Sequence, residues 1–157
     1  MANTSRAAAD SSLANRPSLT LKRRFNASTE KVYAAWAEPE KLVQWFGPAK
    51  VKAGSIKAEM DVRVGGRYRI SFMQESGEYS EVGGIYREVV PNQRLVFTWA
   101  WHSTPERESL VSVELKPEGA GTLLTFHHEQ FFDQTARDNH ERGWTELLAK
   151  LENHLGV

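Results

Sequence analysis

The chain has 157 residues, of which 40% are hydrophobic and 25% charged, so its length and composition fit one globular domain with a single core. Its 20 lysines and arginines balance 20 aspartates and glutamates, which argues against nucleic acid as a partner. The lack of cysteine excludes disulfides, thiolate metal ligands and a cysteine nucleophile. No run of about 18 apolar residues and no signal-peptide pattern occurs, so we expect a cytoplasmic protein that makes no membrane contact.

The chain is expected to begin with a disordered tail over residues 1–16. This segment is rich in Ala, Ser, Asn and Asp, and it holds too little apolar surface to offset the entropy lost on ordering. A single domain over residues 17–157 follows. It opens with a predicted strand over residues 18–25, in which Leu19, Leu21 and Arg23 share one face.

Two short helices are predicted after this strand. The serine and threonine at residues 28–29 can each cap the first helix, over residues 30–37. Pro39 breaks that helix and suits the first turn of a second helix over residues 40–46. The Gly-Pro pair at residues 47–48 stops the second helix.

The remainder of the chain predicts a sheet followed by one long helix. Between residues 51 and 129, turn signals separate about six segments of strand length, which indicates an antiparallel meander. The apolar spacing then becomes helical, which predicts one amphipathic helix over about residues 135–155. Its apolar face comprises His140, Trp144, Leu147, Leu148, Leu151 and Leu155. This order of elements is typical of an α+β fold with the helices on one side of a curved antiparallel sheet.

Aromatic residues are numerous at the inward positions of these elements. Each aromatic ring buries roughly 150–250 Å², so core packing is the simplest interpretation of any single one. A sheet that curves around a helix nevertheless encloses more volume than side chains easily fill, and we expect several rings to line an apolar cavity. The predicted ligand-binding residues are Trp36, Trp45, Tyr68, Phe72, Tyr86, Phe97, Trp99, His128, His140 and Trp144.

Two of these residues are histidines, and strand parity and helical period direct both His128 and His140 inward. Each can be a hydrogen-bonded structural histidine or a group that orients or titrates against a ligand. His127 points to the opposite face from His128, so the two are not expected to share a metal. Nucleophile-elbow and phosphate-loop motifs are absent from the sequence. We therefore predict no metal, no cofactor and no assigned catalytic residue.

Several motifs of this sequence are shared with a known family. They are residues 27–36 with Pro39, Trp45-Phe46-Gly47-Pro48, residues 64–68, residues 84–99, residues 122–125 with His128, and His140 with Gly143-Trp144. They resemble the family of homologues of the activator of the heat-shock chaperone ATPase, within the START-related, birch-pollen-allergen-like (SRPBCC) superfamily. The similarity covers about residues 19–155. It implies a helix-grip fold, in which a seven-stranded antiparallel sheet and the last helix enclose a cavity.

Three functions are compatible with the sequence. The preferred one is a protein that binds a small hydrophobic or aromatic molecule in the cavity and catalyses no reaction. The second is a cavity enzyme of the cyclase or hydrolase kind that uses a histidine or tyrosine as acid or base. The third is an interaction domain that contacts a chaperone, although the 16 residues before Pro17 are too short to supply the separate chaperone-binding domain of the family's namesake. Whether the protein forms a homodimer is left open.

Overall fold

The computed structural model describes residue 13 and residues 15–156. In this part of the chain the helices are α1 (Thr29–Ala37), α2 (Pro39–Leu42) and α3 (Gln134–His154). The strands are β1 (Leu19–Phe25), β2 (Lys57–Met60), β3 (Arg67–Met73), β4 (Tyr79–Val90), β5 (Arg94–Trp101), β6 (Ser109–Glu118) and β7 (Gly121–Glu129). The predicted tail over residues 1–16 lies outside the described residues, apart from residues 13, 15 and 16.

The strands form one antiparallel sheet in the order β1-β7-β6-β5-β4-β3-β2. β2 to β7 are therefore a meander, and β1 returns to pair with β7, with Leu21 opposite Phe126. The predicted turn sequences lie between the strands. This architecture confirms the predicted α+β helix-grip fold with seven strands and one long C-terminal helix.

The two short helices follow β1, and the second is shorter than predicted. Ser28 is the N-cap of α1, where its Oγ accepts a hydrogen bond from the Lys31 N–H at 3.2 Å. The prediction that the second helix reaches residue 46 is wrong, because α2 ends at Leu42. After Leu42 the chain tightens into turns, in which the Trp45 N–H donates to the carbonyl of Leu42, three residues earlier.

At Gly84, the backbone of β4 lies unusually close to the backbone of β5, and a side chain of β3 also reaches β5 at this point. A Cβ atom on Gly84 would lie 2.0 Å from the carbonyl oxygen of Thr98, so only glycine fits at this position. That carbonyl accepts a hydrogen bond from the Tyr68 hydroxyl at 2.6 Å, and the Thr98 hydroxyl accepts one from the Ile85 N–H at 2.8 Å. A β-bulge follows between Tyr86 and Glu88, and bulges increase the local twist of a sheet. These features help curve the sheet around α3.

α3 packs its apolar face against the concave side of the sheet. Asp133 caps the helix by accepting a hydrogen bond from the Ala136 N–H at 2.8 Å. The buried residues of the helix are Trp144, Leu148 and Leu151, as the helical period predicts. The Trp144 ring lies 4.3 Å from the ring of Phe126, measured between ring centroids, so the helix and β7 share one core.

No helix within the described ranges is both long enough and apolar enough to cross a membrane.

Candidate functional site

An open cleft of about 430 Å³ lies between the sheet and α3. Its walls come from β3, β4, β5, α3 and the loops that follow α2, β3 and β5. The apolar part of the wall consists mainly of Phe46, Phe72, Trp99, Trp101, Trp144 and Leu147. The polar residues at its margin include Gln74, Glu78, Ser103, Asn139, His140 and Glu146. Aromatic walls with a few polar groups are typical of small-molecule sites.

A wider groove of about 810 Å³ runs across β2, β3, β4 and β5, where charged residues such as Glu59, Arg69 and Glu81 line it. Arg69 pairs with Glu59, with 3.1 Å between Nη2 and Oε1, and both side chains are more than half exposed. Charged pairs of this kind are typical of a solvated sheet face. We therefore assign the candidate site to the smaller, aromatic cleft.

His140 lies at the wall of the cleft and accepts hydrogen bonds from two tryptophans. Its Nδ1 lies 2.7 Å from the carbonyl oxygen of Ala136, and because a carbonyl only accepts, this nitrogen must carry the proton. The other ring nitrogen, Nε2, is therefore the acceptor for the indole N–H of Trp101 at 3.0 Å and that of Trp99 at 3.4 Å. Burial lowers the pKa of His140, which keeps the imidazole neutral.

His128 is fully buried below the cleft and does not line it. Its Nδ1 accepts a hydrogen bond from the indole N–H of Trp144 at 3.1 Å, so its proton is on Nε2. Nε2 donates to the Ser109 hydroxyl at 2.7 Å, and that hydroxyl donates to the carbonyl of Trp99 at 3.1 Å. Burial is the main cause that holds the pKa of His128 well below its usual value, and the nearby His140 adds to it. His128 thus holds the Trp144 indole directly and, through Ser109, the backbone of Trp99, and both tryptophans line the cleft.

A second group of predicted residues surrounds a space of only about 20 Å³. A space of this size holds about one water molecule and no ligand. The Tyr68 ring packs 5.5 Å from that of Tyr86 and 5.3 Å from that of Phe97, between ring centroids. Burial raises the pKa of both tyrosines well above its usual value, so both hydroxyls stay protonated. Trp36 also borders this space, and its buried indole N–H has no hydrogen-bond partner among the described residues.

The structure divides the predicted site residues into three places. Phe72, Trp99, His140 and Trp144 line the open cleft. Trp36, Tyr68, Tyr86 and Phe97 border the small inner space, and Trp45 and His128 border neither. The Trp45 indole N–H donates to the carbonyl of Ala35 at 2.9 Å, which holds the loop after α2 against α1.

Sequence reasoning left several cleft residues out of the predicted site. Phe46 and Trp101 belong to the same aromatic set as the chosen residues, and Leu147 lies on the apolar face of the last helix. Gly143 lines the cleft as well, and its place in a shared motif beside Trp144 was the available signal. Asn139, Glu146 and Ser103 carry no sequence pattern that separates them from ordinary surface residues.

Within residue 13 and residues 15–156, no group of three or more His, Asp or Glu side chains could hold a metal ion.

A curved seven-stranded antiparallel sheet that closes on a long C-terminal helix, with a cleft between the two, defines a helix-grip protein of the SRPBCC superfamily. The sequence profile described as "Activator of Hsp90 ATPase homolog 1-like protein" matches residues 26–156. The chain belongs to this family.

Solved structures of bacterial proteins share the fold over nearly the whole chain. The AHSA1 (SPO3351) protein from Silicibacter pomeroyi is 31% identical, with a TM-score of 0.75 over 88% of this chain and 97% of that chain. Protein CV1439 from Chromobacterium violaceum is 27% identical, with a TM-score of 0.76 over 87% and 94% of the two chains. The Mll3558 protein from Rhizobium loti is 30% identical, with a TM-score of 0.74 over 88% and 96%. No protein with a curated functional description matches the chain.

Proposed function

We propose that this protein binds a small, largely apolar molecule with aromatic character in the cleft between the sheet and α3. The observation that carries the proposal is the set of rings that face an open volume of about 430 Å³ instead of filling it. Small-molecule sites usually have volumes of about 300–1,000 Å³ and mainly apolar walls. A cleft at the lower end of this range suits a compact ligand of two or three fused rings.

Gly143 supports the same proposal from the helix side of the cleft. It lies in the middle of α3, where glycine costs about 1 kcal/mol relative to alanine. A Cβ atom at this position would meet nothing within 4 Å, so protein packing does not require a glycine here. Gly143 lines the cleft, and its missing side chain leaves room for a ligand to approach the helix backbone.

The state of the buried acid–base groups favours binding over catalysis. The single Nε2 lone pair of His140 is already engaged by the indole N–H groups of Trp99 and Trp101, and His128 is sealed from solvent. The Tyr68 hydroxyl donates a hydrogen bond to the carbonyl of Thr98. A general base needs a free lone pair within hydrogen-bond reach of its substrate. These groups are instead engaged in holding the walls of the cleft.

The first prediction tests the cleft with two substitutions at Gly143. Gly143→Ala should raise the free energy of unfolding by about 0.5–1 kcal/mol, because alanine favours the helix and its methyl group enters open space. Gly143→Leu should also fold at least as stably as the wild type, but its longer side chain should occupy the cleft. Both free energies are measured by chemical denaturation.

Ligand binding is then measured by thermal shift with a library of apolar and aromatic compounds. A ligand at a hundredfold excess over its Kd stabilises the native state by about 2.7 kcal/mol. Hits should shift the melting temperature of the wild type and of Gly143→Ala, and they should leave that of Gly143→Leu unchanged. The proposal would be wrong if the library shifts nothing, or if Gly143→Leu responds like the wild type.

A further inference from the structure

Building on the proposed binding function, we propose that the ligand carries an uncharged carbonyl oxygen, which accepts a hydrogen bond from the indole N–H groups of Trp99 and Trp101. Such an oxygen belongs to a ketone, an amide or an ester. The inference follows from a local excess of hydrogen-bond donors at the His140 end of the cleft.

The excess arises from the geometry around His140. An indole N–H is only a donor, and both the Trp99 and Trp101 N–H groups point at His140 Nε2, at 3.4 Å and 3.0 Å. The other ring nitrogen of His140, Nδ1, keeps its proton and donates a hydrogen bond to the carbonyl of Ala136, so Nε2 offers a single lone pair. One lone pair cannot satisfy two donors with good geometry, and the longer contact from Trp99 is the weaker bond. One indole N–H is therefore left in excess.

The residues that compete for this lone pair border the cleft, so the excess donor belongs to its wall. Trp99, Trp101 and His140 all line the open cleft. A buried donor without a good partner raises the free energy of the protein, and an acceptor that supplies the missing bond recovers it. A ligand with an apolar body and one oxygen would suit this cleft. Its body would contact the aromatic wall, and its oxygen, at the His140 end, would accept the excess indole N–H.

The charged side chains that line the cleft favour a neutral oxygen over a carboxylate. Glu78 and Glu146 line the cleft, whereas its lining residues within the described ranges include no lysine or arginine. An anionic ligand would be repelled by both carboxylates. His140 cannot readily offset this charge by taking up a proton, because a protonated Nε2 would face two other N–H donors.

The test uses three probes that share a naphthalene ring. 2-Acetylnaphthalene carries the carbonyl oxygen, 2-isopropenylnaphthalene has a CH₂ group of similar shape in its place, and 2-naphthoate is the anion. Affinities are measured by titration, and the indole N–H resonances of the five tryptophans are followed by NMR. We expect both neutral probes to bind and the anion to bind most weakly. Only the acetyl probe should shift the resonances of Trp99 and Trp101 in the direction of a new hydrogen bond.

Two variants should change the preference for the acetyl probe in opposite directions. Trp101→Phe removes one donor and lets Trp99 bond His140 alone, so the acetyl-to-isopropenyl affinity ratio should fall about tenfold. His140→Leu removes the competing acceptor and frees both donors, so the ratio should rise. Phe72→Leu, at the apolar wall, should weaken both neutral probes equally and leave the ratio unchanged.

Each outcome separates the inference from the proposed function. If both neutral probes bind but their ratio is the same in the wild type and in Trp101→Phe, the carbonyl assignment is wrong and the binding function stands. Equal or tighter binding of 2-naphthoate would overturn the preference for an uncharged ligand. If no probe binds to the cleft, the proposed binding function fails, and this inference fails with it.

Discussion

Replacing Leu148 with alanine is expected to lower the free energy of unfolding by about 2–5 kcal/mol. Leu148 is only 1% exposed and lies on the same face of α3 as Trp144 and Leu151, against the sheet. Alanine would leave a closed cavity in this core, and the lost contacts add to the lost hydrophobic transfer free energy. The change is measured by urea denaturation of the two proteins.

Leu147→Ala is the matched control for this variant. Leu147 is the preceding residue of α3, but it is half-buried and borders the open cleft. Removing its side chain would enlarge a space that solvent already reaches, so the loss of stability should be clearly smaller. If the two variants lose the same free energy, the face of α3 that packs on the sheet has been assigned incorrectly.

Acidification should destabilise the protein through His128, starting near pH 6.5. The pKa of His128 is held far below its usual value in the native state by burial, whereas in the unfolded chain it returns to about 6.5. Below that pH the unfolded state takes up a proton that the native state cannot. Burial of His128 as a neutral group therefore costs about 1.4 kcal/mol of folding stability for every pH unit below 6.5, until its native pKa is reached.

The measurement compares the wild type with His128→Gln between pH 7.5 and pH 5, above the usual range of carboxylate titration. A glutamine amide can accept from Trp144 and donate to Ser109, as His128 does in the wild type. The variant should show a shallower loss of stability on acidification, because the contribution of His128 is removed while that of His140, whose pKa is also lowered by burial, remains. Parallel pH curves for the two proteins would contradict the buried, neutral state of His128.

The fold was predictable because its signals are local and repeated. The two-residue alternation in β1 and the helical spacing from His140 to Leu155 each extend over several turns or residue pairs. The end of α2 was not predictable in this way. Trp45 and Phe46 continue an apolar pattern that suits a helix, yet the indole of Trp45 bonds the carbonyl of Ala35 in another helix, a contact that spacing alone does not reveal.

For the candidate site, the sequence predicted which face of the sheet points inward but not which residues border an open volume. Strand parity placed Tyr68, Phe97 and Trp99 on the concave side of the sheet, but parity does not tell which side chains fill the space they face. Tyr68 packs into the core because Gly84 lets its hydroxyl reach Thr98 across β4. The contact between Trp101 and His140 joins β5 to α3 across 39 residues, and such pairings depend on how far the sheet curves.

Among the residues that the structure describes, the strand order leaves β1 and β2 with one unpaired edge each, and such edges can pair with another chain. At pH 7 the positive and negative charges cancel, so net repulsion does not keep molecules apart. Instead, local features of the two edge strands oppose pairing with another chain. β2 is only four residues long, and β1 carries a run of three basic residues over positions 22–24. Arg23 points inward and pairs with Glu152 of α3 at 2.9 Å, so an added strand would meet a charge where it needs an apolar side chain. The basic run is therefore expected to make edge-to-edge pairing of β1 unfavourable.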